Sequence, residues 1–272
     1  MNNNKNRPFL KWPGNKYHCL QHILPSLPKA KRLIEPFTGS AAIFFNTDYS
    51  HYLLAEENND LINLYCQLQQ EGNDFIALCQ SYFSPSNNSE EHYYQLRQNF
   101  NECQTPPERA ALFLYLNRHG YNGLCRYNKK GFYNVPFGRY LKPYFPYNEM
   151  RLFQQKSRKT HFLHADFRQT FQAAEQGDVI YCDPPYVPLL SQETNFIAYT
   201  NTRFSETDQI DLAKLALETA HRGITVLISN HDTDFTREHY RDSEITSFNV
   251  RRGISCQAEN RLPARELLAV FR

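Results

Sequence analysis

A chain of 272 residues, 41% of them hydrophobic, is long enough for one large domain or two smaller ones with sizeable cores. With 30 Lys and Arg against 28 Asp and Glu, a formal net charge of +2 excludes any argument for a nucleic-acid partner from bulk charge, and no stretch approaches the roughly 20 apolar residues of a membrane span. The 7 cysteines are scattered without a CxxC spacing, which speaks against a disulfide framework or a zinc site and fits a reducing cytoplasm; the polar start, Met1 to Lys5, is too short for a targeting signal.

Taken in chain order, a short apolar strand is expected over 32–37, closing at Gly39, and a second over 51–56, closing in acid. From 58 to about 118 the pattern turns helical. Leu61, Leu64, Tyr65 and Leu68 form one stripe, and Tyr93, Tyr94, Leu96 and Phe100 mark a second helix. Pro106-Pro107 opens a third, running through Leu116. Strand patterns resume at 161–164 and 178–182, a helix follows over 206–221, and strands over 224–229, 245–250 and 266–271 close the chain. The fold class is therefore α/β, with its alternating pattern interrupted by a helical insertion. The expected division is a catalytic domain over 1–57 and 147–272 and a second domain over 58–146, with a hairpin near 126–138.

Charge is distributed unevenly. No acidic residue occurs between Glu108 and Glu149, while Arg109, Arg118, Arg126, Lys129, Lys130, Arg139 and Lys142 interleave there with Tyr115, Tyr121, Tyr127, Tyr133, Tyr140, Tyr144 and Tyr147. Cations neutralise phosphates and aromatic rings stack on or wedge between bases, so the mixture suits a nucleic-acid face. Composition alone equally allows a solvated basic surface over a tyrosine-rich core. Gly120, Asn122-Gly123, Asn128 and Gly131 supply the turn chemistry of a loop or hairpin.

The most pointed chemistry is Asp183-Pro184-Pro185-Tyr186, directly after the apolar run Val179-Ile180-Tyr181-Cys182. Ligands of open α/β sheets bind beyond the carboxyl ends of strands. Two prolines stiffen the turn and remove two N–H donors, which leaves a carboxylate, carbonyls and a flat ring in a fixed arrangement. An exocyclic amino group has two protons to give and sits on a flat base, so Asp183 and the Pro184 carbonyl suit its protons and Tyr186 its face. On its own the turn would also serve as a rigid polar strand cap.

These blocks together resemble the Dam family of bacterial and phage DNA adenine-N6 methyltransferases. The resemblance covers nearly the whole chain. It runs through Phe9-Leu10-Lys11-Trp12 with Gly14 and Lys16, Glu35-Pro36-Phe37, and Leu114-Tyr115-Leu116-Asn117-Arg118. It continues through Gly120 to Asn128, Asn134 to Tyr140, the Asp-Pro-Pro-Tyr turn and Leu227 to Asp232. It implies a Rossmann-like methyltransferase sheet with an inserted DNA-recognition domain, S-adenosylmethionine as methyl donor, and double-stranded DNA methylated at GATC on a base flipped out of the helix. A cytoplasmic, nucleoid-associated monomer without a metal is the matching expectation.

Laid onto this sequence, the resemblance assigns Asp183, Pro184 and Tyr186 to catalysis. It assigns Trp12, Lys16, Phe37, Gly39, Glu56, Asp166, Phe167 and Asp183 to the cofactor. DNA contacts fall to Lys11, Arg118, Tyr121, Asn122, Leu124, Arg126, Pro136, Arg139 and Tyr140. Among these, Tyr121 would fill the gap left by the flipped base, Arg126 would read a guanine edge, and Leu124 and Pro136 would pack on a thymine methyl. For each there is a plainer role: a phosphate clamp for either arginine, core for Tyr121, loop packing for Leu124. His119 and His231 read as structural. Two positions depart from the family pattern: Ala41 stands where a second glycine is usual, and Glu56 replaces the commoner Asp with an acid one methylene longer. A methyltransferase acting on RNA or a protein amide, and a DNA-binding relative that has lost its cofactor, are the competing readings.

Overall fold

The computed structural model describes residues 5–186, 204–250 and 264–272. The chain divides into two compact units, one of Met1–Tyr17, Gly39–Asn46 and Glu56–His164, the other of His18–Thr38, Thr47–Ala55 and Ala165–Arg272.

Seven strands form a sheet: β1 (Arg32–Glu35), β2 (His51–Glu56), β3 (Thr160–His164), β4 (Asp178–Cys182), β5 (Thr225–His231), β6 (Glu244–Val250) and β7 (Ala264–Phe271), in the order β3-β2-β1-β4-β5-β7-β6. The pairs β1–β2, β1–β4 and β4–β5 are parallel, whereas β7 enters antiparallel beside β5 and β6. This is a Rossmann-like α/β arrangement: its α/β class follows the alternating pattern, and its sheet is the one the family resemblance implies. The central strand β4 is buried at all five positions, which is why its sequence is a nearly continuous apolar run. Its one charged residue, Asp178, is met by Arg32 of β1 at 2.6 Å.

Strand β1 stops two residues short of the expected end. Pro36 has no N–H for the ladder, and a strand paired on both sides cannot continue through it. Strand β5 runs two residues further than expected, because its antiparallel partner β7 extends the pairing to His231↔Glu266. Helix α9 (Glu206–His221) is closed at its start by a capping box between Ser205 and Asp208 and packs along β5.

Helix α1 (Leu20–Ile23) precedes β1 in the second unit. In the first unit, α2 (Ala42–Phe45) comes first; then α3 (Asn59–Glu71), α4 (Asn73–Ser81), α5 (Glu90–Glu102) and α6 (Pro106–His119) fill most of the stretch read as helical, and α7 (Tyr147–Ser157) follows. Helix α6 is buried almost all round, so it is the centre of this unit rather than a surface helix. Residues 58–146 lie wholly within this unit. Of the seven tyrosines in the acid-free stretch, Tyr115 and Tyr133 are core, while Tyr121, Tyr144 and Tyr147 are exposed. Both readings of that composition therefore hold, for different residues. Over 126–138 the chain folds back through the single bridge Tyr127↔Tyr133, with Asn134 N–H donating to Arg126 O at 3.0 Å and Asn128 N–H to Phe132 O at 2.8 Å. No helix among the described residues is long and apolar enough to cross a membrane.

Candidate functional site

In the second unit the Asp183–Tyr186 turn leaves the carboxyl end of β4 and is held from three sides. The Tyr186 hydroxyl donates to Glu266 Oε2 at 3.1 Å, and its ring meets the His231 ring edge-to-face at 4.8 Å. Glu266 and His231 are the pair added by the extension of β5 and β7, so the late antiparallel strand builds the seat for Tyr186. The third hold is Gln209 of α9, whose Nε2 donates to the Pro185 carbonyl at 2.6 Å. Pro184 is buried, Asp183 and Tyr186 half-buried. Burial, with the Asp183 and Glu266 carboxylates nearby, pushes the Tyr186 phenol far above its ordinary value, so it stays a neutral ring and donor.

The same unit holds Phe37, Asp166 and Phe167. Phe37 and Phe167 stack with centroids 5.5 Å apart, Phe204 packs against both, and the Arg168 guanidinium lies 4.4 Å over Phe167. Asp166 is the N-cap of α8 (Phe167–Gln172): its carboxylate accepts from Arg168 N–H at 2.7 Å and completes a capping box with Gln169. The Asp-x-x-Gln spacing carries that signal in the sequence, where the resemblance alone assigns Asp166 to a ligand. Arg168 is drawn in by Asp208 and Asp211 at 2.7 and 2.6 Å.

In the first unit, Gly39 turns with φ +48, and a Cβ there would stand 3.1 Å from Trp12 Cδ1, so a larger residue would be strained and would press on the indole. The turn is braced from outside. Tyr65 donates to Gly39 O at 2.6 Å, and Gly39 N–H donates to Glu56 Oε2 at 3.1 Å. Burial raises the Glu56 carboxyl, opposed by N–H donors from Gly39, Asn58 and Glu57 that favour its charged form. The extra methylene of Glu56 is thus put to use in reaching the turn. Ala41 occupies the left-handed region at φ +58 without a glycine's freedom. Lys16 is buried, its Nζ donating to Gly14 O at 2.7 Å.

The residues assigned to DNA largely converge in this first unit. Lys11 Nζ stands 3.7 Å over the Tyr140 ring, and the Tyr140 hydroxyl accepts from Asn122 N–H at 3.0 Å. Tyr121 is exposed, with its N–H on Pro136 O at 2.9 Å, so the wedge candidate and the proline are joined by one hydrogen bond. Gly123 has φ +64, and a Cβ there would fall 2.2 Å from Lys11 Cβ, which makes this glycine obligatory for the approach of Lys11. Leu124 is half-buried, its carbonyl taking the Tyr133 hydroxyl at 2.9 Å. Arg126 is aimed by Asn134, through Nε to Oδ1 at 2.7 Å and Nη2 to the carbonyl at 3.1 Å. Arg118 is half-buried, donating to Tyr144 O at 3.0 Å. Arg139 is exposed and pairs with Glu90 at 3.1 Å.

Burial and the Arg118 charge lower the Lys11 ammonium to about 8. Sequence reasoning passes over Asn117, which fixes Lys11: its Nδ2 donates to Lys11 O at 2.6 Å and its Oδ1 accepts Lys11 N–H at 3.0 Å. An asparagine in the last turn of a helix, directly after the apolar run Ala110–Leu116, is the signal that marks it. His119 is buried and lowered to about 4, its ring nitrogen on Tyr115 O at 3.0 Å; it is a neutral structural histidine.

A carboxylate–proline–tyrosine turn thus stands at a strand end of an α/β sheet in one unit, and an aromatic and basic constellation in the other. The chain belongs to the D12 class of N6 adenine-specific DNA methyltransferases, whose family model matches residues 12–254. It is 48% identical over 267 residues to the DNA adenine methylase of Salmonella typhi, covering 98% of this chain and 96% of that protein. Against the DNA adenine methylase of Escherichia coli strain K12 it is 47% identical over 268 residues, with 98% and 96% covered. Against that of Serratia marcescens it is 48% identical over 269 residues, with 98% and 99% covered. It is an adenine-specific DNA methyltransferase.

Proposed function

We propose that this enzyme takes its methyl group from S-adenosylmethionine and places it on adenine N6 at GATC in duplex DNA, with the target base turned out of the helix. The observation that carries the reading is the turn after β4, with its carboxylate, two prolines and a tyrosine pinned through Glu266, His231 and Gln209. Adenine N6 lies inside a stacked duplex, so a pocket built for an amino group on a flat ring requires the base to leave the stack. Asp183 accepts one amino proton and the Pro184 carbonyl the other, which draws density toward nitrogen and aims its lone pair; Tyr186 lies on the ring face. Rate enhancement on this account comes from positioning and electrostatics.

The residues fit the cofactor. Gly39 carries no side chain of its own and lies directly against the Trp12 indole, and Glu56 offers a carboxylate at the end of β2 for ribose hydroxyls. Bound S-adenosylmethionine supplies a methyl on a sulfonium sulfur. The residues that would hold it are Trp12, Lys16, Gly39 and Glu56 of the first unit, and Phe37, Asp166, Phe167 and Asp183 of the second. Tyr121 fills the gap in the duplex, and Arg126, with Lys11, Leu124 and Pro136, reads the flanking bases.

The test is to incubate purified protein with methyl-labelled S-adenosylmethionine and unmethylated DNA and to map the modified bases. N6-methyladenine confined to GATC is expected. Asp183→Ala should lower the single-turnover rate by orders of magnitude while DNA affinity holds; a rate within about threefold of wild type removes Asp183 from the chemistry.

A further inference from the structure

The Asp183–Tyr186 turn has a weakness that its prolines create. Their rings fix φ at Pro184 and Pro185, but ψ at Pro185 remains to be set, and neither residue has an N–H with which to anchor itself. A carbonyl needs a donor. Gln209, 4% exposed on α9, supplies it at 2.6 Å from the Pro185 oxygen.

The polarity of this contact is fixed by a chain of buried amides. His231 N–H donates to Asn230 Oδ1 at 2.8 Å, which identifies the oxygen side of Asn230. Its Nδ2 then donates to Gln209 Oε1 at 3.0 Å and to the Tyr240 hydroxyl at 3.1 Å. Gln209 is left with its NH2 facing Pro185. Backbone groups of unambiguous polarity stand at both ends, so neither amide can flip without setting donor against donor or acceptor against acceptor. Asn230 is fully buried, and a buried polar chain survives only when each member is satisfied.

We propose that Gln209 is a positioning residue for methyl transfer: it locks the Pro185 carbonyl, and Asn230 holds the Gln209 amide in the donating orientation. With ψ of Pro185 held, the carboxylate before the prolines and the ring after them keep a fixed separation. This rests on the assignment of the turn to the target base.

Three variants test it. Gln209→Met keeps length and volume but removes the donor. It should lower the single-turnover rate on the order of 100-fold, as small misplacements of reacting groups do, with DNA and cofactor affinities within about threefold of wild type. Gln209→Glu places a carboxylate against the carbonyl; protonation returns a donor in the same place. Its rate relative to wild type should therefore climb as pH falls from about 8 to about 5.5, a profile that mere loss of packing does not produce. Tyr186, Glu266, His231 and Tyr240 stand around this chain, Asp183 lies two residues before Pro185 in the same turn, and Asp208 and Asp211 on α9 itself are paired with Arg168; all are present in wild type, so taking the ratio at each pH cancels them. A folded Gln209→Met with the wild-type rate, or a flat Gln209→Glu ratio, overturns the proposal; if Gln209→Met fails to fold, the Gln209→Glu ratio alone decides. Asp183→Ala separates the two readings. If it is inactive while Gln209→Met is unaffected, only the positioning role falls. If it is active, the assignment of the turn falls and the positioning role with it.

Discussion

Ala41 shows how a residue can depart from its family without harm. At φ +58 an L-residue is strained by roughly 1–2 kcal/mol, and the bare composition of the Gly39-Ser40-Ala41 turn suggests trouble. Two terms oppose the strain. The Ala41 methyl is fully buried, worth about 0.8 kcal/mol, and alanine has less unfolded-state freedom than glycine by roughly 0.4–1 kcal/mol. The sum is near zero. Ala41→Gly is therefore expected to shift stability by no more than about 1 kcal/mol, while Ala41→Val, β-branched in a left-handed position, should cost at least about 2 kcal/mol. Urea denaturation of both variants checks this, and a valine variant as stable as wild type would contradict it.

Lys11 shows the opposite bargain, in which a residue costs the fold something. Burial and Arg118 lower its ammonium to about 8 from 10.5. Between those values the unfolded chain holds a proton that the folded chain has released, so this group makes stability rise with pH from about 8 to about 10.5. Below about 8 the charge is present and opposes folding. The DNA contact proposed for Lys11 needs that same charge. Wild-type affinity for DNA should thus fall as pH rises through about 8, Lys11→Met should bind more weakly at neutral pH without that step, and its melting temperature at neutral pH should exceed wild type. Affinity and melting curves across the range, compared as wild type minus variant, would expose the idea if the two differences failed to move in opposite directions.

At the level of elements, a half-buried charge cluster ties the fold-back over 126–138 to helices α3 and α6. Arg109 of α6 grips Asp60 of α3 with Nε at 2.6 Å and Nη2 at 3.1 Å, and the Tyr127 hydroxyl donates to the same carboxylate at 2.6 Å. Arg109, which composition offers as a phosphate binder, is therefore internal. Tyr127→Phe removes one hydrogen bond to a charged acceptor and should cost roughly 1.5–3 kcal/mol; Asp60→Ala leaves the Arg109 charge unmatched and should cost more, about 3–5 kcal/mol. Unfolding measurements give these values. Hydrogen exchange adds a local reading: the Asn134 amide, bonded to Arg126 O, should lose protection in Tyr127→Phe ahead of the α6 amides, and equal loss in both would show that the cluster does not anchor the fold-back.

What could be read in advance depended on how local the cause was. Strands β2 and β4 and helix α9 end where the sequence pattern ends, since an apolar run or a capping box is written within each segment. Helices α8 and α10 (Asp234–His239) are six residues long and depend on their caps rather than on periodicity, so they escape a pattern search. The Asp183–Tyr186 turn was legible because its chemistry is contiguous. Its supports were not: Gln209 lies 24 residues from Pro185, and Glu266 80 residues from Tyr186, joined only by packing and by the antiparallel entry of β7.

On the scale of the whole molecule, a net charge of +2 conceals cations doing different jobs, and specificity should separate from affinity among them. Arg126 is aimed by the two hydrogen bonds it donates to Asn134, a preorganised guanidinium suited to a bidentate base contact. Arg118 is half-buried, with donors on Tyr144 O and Phe9 O, and is suited to present charge to phosphate from a fixed place. Arg126→Ala should lose roughly 1–3 kcal/mol of discrimination at one base pair, so that methylation of sites altered there approaches that of GATC. Arg118→Ala should weaken all sequences alike, reduce the salt dependence by about one ion, and lower the melting temperature slightly because two backbone carbonyls lose their donor. Methylation of GATC and its single-base variants at several salt concentrations distinguishes the two patterns. If Arg126→Ala weakens every site equally and keeps the wild-type preference, Arg126 is a clamp, and the guanine is read by another side chain of the first unit.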